Sequence, residues 1–145
     1  MIDKNLMYSE DQAITGDAAS TNVVKHGNIG VGRGQKMNLI VQVTESFNTL
    51  TSLTIKLQTE IDADFGSAVD VISKTIALAD LVAGAQFNLG EPEIANPATE
   101  IWSRMYYDVT GTDPTAGKLN AFWQLDPQEA VAPEDQGLTS GYPTY

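Results

Sequence analysis

Three stretches of the chain carry residue types that could do chemistry, and spacing tests each of them. Gly27-Asn28-Ile29-Gly30-Val31-Gly32-Arg33-Gly34 invites a phosphate-loop reading. It lacks the closing Lys-Ser/Thr, and a G-x-G-x-x-G frame begun at Gly30 finds Gln35 where the last glycine belongs. No helical pattern follows to offer its N-terminus to a phosphate. A loop between strands is the better reading, with Arg33 and Lys36 available to touch an acidic neighbour. Together with Lys25 and His26 they make this the densest basic spot of the chain. Asp62-Ala63-Asp64-Phe65-Gly66 resembles the start of a calcium loop, but its glycine comes one position early and Ser73 stands where the bidentate glutamate is needed. Aspartate and glycine serve turns on their own account, so a strand-connecting turn is expected there.

The remaining candidates are thinner. His26 is the only histidine, which is read as excluding a multi-histidine metal site and a His-based triad by count, and it is expected at the surface. With no cysteine there is no thiolate nucleophile, cysteine zinc site or disulfide staple, and the absence fits a reducing cytoplasm. The carboxylate pairs Glu91/Glu93 and Glu134/Asp135 lie in proline-bearing stretches without apolar flanks to move a pKa. No enzyme and no cofactor is expected. Trp102, Tyr106, Tyr107, Phe122 and Trp123 could form a sugar-binding platform, yet packing is the stronger reading of the same aromatics. Alternation puts Trp102, Arg104 and Tyr106 on one face of a strand and Met105, Tyr107 and Val109 on the other. One face is expected in the core. The other, aromatic and carrying Arg104, is a candidate subunit interface.

The elements that would position these groups are strands. Met37 to Thr44 places Leu39, Val41 and Val43 on one side, and Ser52 to Glu60 alternates with Leu53, Ile55 and Leu57 inward. The polar stretch 46–51 between them suggests that residues 37–60 form one long hairpin. Gly111, Asp113 and Pro114 supply turn chemistry between a strand near 100–110 and another near 118–125, which are expected to pair antiparallel. Thr21 to Val24 and Gln86 to Leu89 read as short strands. Residues 68–82 fit either period; the strand reading is preferred, followed by a single helical turn that Gly84 would stop. About eight strands at this spacing make an antiparallel two-sheet sandwich, and alternation alone does not distinguish a jelly roll from its relatives.

At 145 residues, 42% of them hydrophobic and 19% charged, the chain suits one packed domain. Eight bases against nineteen acids give a formal net charge of −11, which repels nucleic acid and anionic lipid surfaces. No apolar run approaches the roughly 18 residues that span a bilayer, and Met1 to Asn5 has no signal-peptide layout, so a soluble protein that is not exported is expected. Residues 126–145 hold Asp126, Glu129, Glu134 and Asp135 without a Lys or Arg. Such a tail is solvated or meets a basic partner.

Several of these segments carry a resemblance. Asp11-Gln12-Ala13-Ile14-Thr15, Ala18 to Val24, Leu39 to Val43, Leu53 to Thr59, Arg104 to Gly111, Thr115 to Phe122 and Asp126-Pro127-Gln128 are similar to the jelly-roll capsid cement (decoration) proteins of tailed bacteriophages. The glycine-rich stretch 27–36, the loop 91–99 and the tail after Gln128 have no match in that pattern. The resemblance implies a single jelly-roll domain over 1–145, with a core at about 12–126, an extended head segment 1–11 and an extended tail 127–145. It implies a virion protein made in the host cytoplasm, which binds the outer surface of an icosahedral head and bridges neighbouring copies of the major capsid protein. Partners would be that capsid protein and further copies of the chain as dimer or trimer, with neither nucleic acid nor membrane. Apolar groups outside the strand core, Leu6, Met7 and Tyr8 at one end and Leu138, Tyr142 and Tyr145 at the other, are candidate capsid contacts, as are Arg33 and Lys36. The rival reading from another class is a surface-displayed carbohydrate-binding or host-adhesion sandwich.

Overall fold

Among the residues that the structure describes, alternating apolar and polar side chains produce nine strands, and their buried faces meet in one core. The computed structural model describes residues 4–26, 37–92 and 101–125. Its strands are β1 (Met7–Ala13), β2 (Ala18–Ala19), β3 (Val24–His26), β4 (Met37–Glu45), β5 (Leu50–Glu60), β6 (Val69–Ala77), β7 (Gln86–Asn88), β8 (Ile101–Gly111) and β9 (Lys118–Leu125). The first sheet runs β1-β9-β4-β7, and the second runs β2-β8-β5-β6 with β3 also paired to β8. Every pairing is antiparallel. Because β2 and β3 share one position beside β8, the nine strands fill eight places, and the chain passes between sheets at nearly every connection. This is the jelly-roll order of an all-β sandwich.

Two expected pairings are replaced. β4 and β5 do not form a hairpin, since β4 pairs with β9 and β7 while β5 pairs with β8 and β6. β8 and β9 likewise lie in different sheets. The turn residues between them do reverse the chain, but a reversal within a sheet and one across the sandwich demand the same alternation, because both leave one buried face. β5 and β6 are the consecutive strands that do pair. The head segment also differs from expectation: Met7–Ala13 is a full strand, so the core begins before residue 12. The preference for strand over 68–82 agrees with β6, and the helical turn is a 3-10 turn at Leu78–Asp80. Gly84 does not stop that turn. It sits four residues beyond it with φ +91° and donates its N–H to the Val43 carbonyl.

The core is built from Leu39, Val41 and Val43 of β4, Leu53, Ile55 and Leu57 of β5, Met105 and Tyr107 of β8, and Leu119, Ala121 and Trp123 of β9. The turn-bearing end is closed by polar contacts to the backbone. Asn48 Oδ1 accepts the N–H groups of Thr115 and Ala116 at 2.9 and 3.1 Å, and its Nδ2 donates to Thr115 Oγ1 at 2.8 Å. Asp17 Oδ1 accepts the Val109 N–H at 2.7 Å. Gly117, at φ +134°, lies against the Phe47 ring so closely that no Cβ fits between them. At the opposite end lie Met7, His26, Met37, Ile101 and Leu125, together with the 61–68 turn.

Candidate binding surface

Strand β8 divides its side chains cleanly. Ser103, Met105 and Tyr107 turn inward and are buried, while Trp102, Arg104 and Tyr106 are half-buried on the outer face of the second sheet. The three residues proposed from alternation are therefore brought together, on the side away from the core. Their neighbours hold them firmly. Lys25, the register partner of Trp102, places its ammonium 5.3 Å from the indole centroid. The Arg104 guanidinium lies 4.4 Å from the Phe65 ring and 5.6 Å from that of Tyr106. Its Nε donates to Gln58 Oε1 at 2.9 Å, and Gln58 Nε2 donates in turn to Asp70 Oδ1 at 2.8 Å. Two rungs along, Lys56 Nζ meets Asp108 Oδ2 at 3.0 Å, and that hydrogen bond raises the lysine pKa.

Phe65 lies in the expected turn, where Gly66 N–H donates to Asp64 Oδ1 at 3.0 Å. Its ring is nevertheless buried, from a backbone at φ +54°. Among the described residues no group of three or more His, Asp or Glu side chains is placed to hold a metal ion.

On the inner side of β8 lies a buried polar chain that sequence reading missed. Trp123 Nε1 donates to the Tyr8 hydroxyl at 2.8 Å, Tyr8 Oη meets Ser103 Oγ at 2.6 Å, and Ser103 Oγ meets His26 Nε2 at 2.6 Å. The indole can only donate; at the Tyr8–Ser103 and Ser103–His26 contacts either partner can supply the hydrogen, and Ser103 Oγ also donates to the Val24 carbonyl at 3.4 Å. Beside it, Ser9 Oγ bonds the Tyr107 hydroxyl at 2.7 Å. Burial pushes the Tyr8 phenol up to about 12 against the lowering effect of Ser103 and Trp123, and pushes Tyr107 up further. Burial also lowers the pKa of His26. The expected surface histidine is thus half-buried, its ring edge-on to Trp123 at 6.5 Å.

A lone histidine does not by its count exclude a serine–histidine pair, and one is present here. It has no catalytic geometry, because Ser103 is fully buried and its Oγ is held between Tyr8 and His26. The signal that could have found it was Ser103 itself, a polar residue at an inward position of a core strand, where it requires a partner.

Tyr8 is corrected from capsid contact to core: it is fully buried in β1 and a member of the polar chain. Leu6 packs against the core edge, and Met7 is half-buried opposite Phe122. Arg33, Lys36, Leu138, Tyr142 and Tyr145 lie outside the described residues. The five aromatics do not assemble into one platform. Tyr107 and Trp123 are core, Phe122 is buried on the outer side of the first sheet beside Ile40, and Trp102 and Tyr106 flank Arg104.

The Bbp16 family model matches residues 8–123 of the 145. The chain belongs to the Bbp16 family. The match runs from Tyr8 of β1 to Trp123 of β9, so the polar chain and the Arg104 face both lie inside the Bbp16 region. No curated protein matches the sequence.

Proposed function

We propose that this Bbp16-family chain is a capsid cement protein, which binds the outer surface of an icosahedral phage head and stabilises contacts between major capsid subunits. The observation that carries the reading is the coincidence of three features in one stretch. Residues 8–123 match the family model, hold nearly all the segments similar to cement proteins, and fold as a jelly roll. Cementing asks for a rigid body with a preformed contact face and no chemistry. The outer face of β8 supplies such a surface, with Trp102, Arg104 and Tyr106 restrained by Lys25, Phe65 and Gln58. Side chains already fixed in place lose little entropy when they are covered, so a modest contact repeated over many symmetric copies is enough. The same face is the proposed contact between copies of the chain in a dimer or trimer.

The test is co-sedimentation of the purified protein with expanded heads lacking it. Saturable, stoichiometric binding that raises the heat resistance of the heads is the expected result. No binding at any concentration, together with retention on a glycan array, would move the assignment to a carbohydrate-binding adhesion module.

A further inference from the structure

The Arg104 side chain is restrained at every point except its tip. Phe65 and Tyr106 flank the guanidinium, Gln58 takes the Nε proton, and Asp70 fixes Gln58. Among the described residues neither Nη nitrogen has a hydrogen bond or an ion pair. The nearby acids are engaged elsewhere: Asp108 with Lys56, and Glu60 with the Ser67 N–H at 2.6 Å. Phe65 reaches its place only through a left-handed backbone, which a bulky residue keeps where the surroundings impose it. A guanidinium held in this way is prepared for a planar anion taken end-on through both Nη groups, and a carboxylate has that shape.

We propose that Arg104 anchors a carboxylate of the acidic segment 126–145 of the same chain, on the outer face of the second sheet. The segment offers Asp126, Glu129, Glu134 and Asp135 and no competing Lys or Arg. It starts after Leu125 at the end of the sandwich where β8 begins: Trp123, two residues before Leu125, is linked through Tyr8 to Ser103, the neighbour of Arg104. The two sheets stand about 10 Å apart. Twenty residues reach as far as about 66 Å when extended, so every acid beyond the first few positions can arrive. Tethering supplies an effective concentration of about millimolar, so a single charge-assisted pair suffices even though the net charge of −11 repels acids elsewhere. The proposal does not rest on the capsid reading, and the segment would have to leave this face before a capsid subunit or a second copy could cover it.

The absence of cysteine makes the test direct. A nitroxide on Ala132→Cys in the full-length chain should strip most of the intensity from the amide signals of Trp102, Arg104 and Tyr106 at low salt. That loss should vanish in about 0.5 M salt, where the Debye length falls to about 4 Å. It should also vanish with Arg104→Gln, provided the core signals of Met105 and Tyr107 stay in place. A second variant leaves the sheet untouched: neutralising the four tail acids as Asp126→Asn, Glu129→Gln, Glu134→Gln and Asp135→Asn should abolish the effect equally. Mixing spin-labelled chains with isotope-labelled, unlabelled chains should give no broadening. The proposal is overturned by signals unaffected by the label, by broadening that survives the acid neutralisation, or by broadening of the same size in the mixed sample.

Discussion

The two ends of the sandwich are closed by different kinds of bond. At the end that carries Asn48, Gly111 and Gly117, side chains satisfy backbone groups of the turns, and two glycines sit at φ angles that L side chains rarely adopt. At the end that carries His26, Ser103 and Leu125, side chains satisfy one another across sequence separations of 77 to 115 residues. The first arrangement rests on steric fit and on side chains bonded to backbone groups 67 to 92 residues away, and pH should scarcely reach it. The second contains three ionisable groups with moved pKa values, Tyr8, Tyr107 and His26, and should answer to pH. Shape closes one end, and proton placement closes the other.

The sharpest way to break the comparison is Gly117→Ala. The new methyl would meet the buried Phe47 ring from a backbone at φ +134°, and a loss of about 3 kcal/mol in urea unfolding is expected. An equal effect at pH 6 and pH 9 would mark that end as independent of protonation.

Alkaline titration probes the other end. A phenol whose pKa is raised on folding contributes stability that is whole below its unfolded value of about 10 and is lost as pH rises toward the folded value of about 12. Stability should fall by about 1.4 kcal/mol per pH unit for Tyr8 in that window, with Tyr107 adding to the slope in the same direction. A flat stability curve between pH 10 and about 12, measured by urea unfolding, would contradict the buried phenols.

Tyr8→Phe keeps the ring and deletes the hydroxyl, which strands the Trp123 N–H in the core. A cost of about 2 kcal/mol at neutral pH is expected, together with a weaker alkaline slope. His26 gives a smaller effect of opposite sense. Its lowered pKa means that the unfolded chain takes up a proton first as pH falls below 6.5, so stability drops there, and His26→Gln should remove that decline while matching wild type at pH 8. The smallest effect is expected away from both ends, at mid-sheet. Lys56→Met breaks a partly exposed ion pair with Asp108 and should shift unfolding by no more than about 0.5 kcal/mol, less in high salt.

Much of the fold was legible because period-two alternation is a local property. Leu53, Ile55 and Leu57 declare the inner face of β5, Trp102/Arg104/Tyr106 and Met105/Tyr107 declare the two faces of β8, and Gly111 with Pro114 declares a reversal. Strand β1 escaped notice because Met7-Tyr8-Ser9-Glu10-Asp11 does not alternate; a bulge opposite Phe122 and Ala121 turns Tyr8 and Ser9 inward together.

The sequence by itself determined that this would be an all-β sandwich, which face of each major strand would be buried, and that the outer face of β8 would present Trp102, Arg104 and Tyr106. Only the tertiary structure decided which strands pair, because hydrogen-bond partners in a jelly roll are chosen between segments far apart, and alternation is blind to them. It decided too that Tyr8, His26, Ser103 and Trp123 would share one chain of hydrogen bonds, and that the Phe65 ring would reach from its turn to lie beside Arg104. Polar groups buried at a distance in sequence must find partners wherever packing puts them, and that matching is a property of the assembled core, not of any one strand.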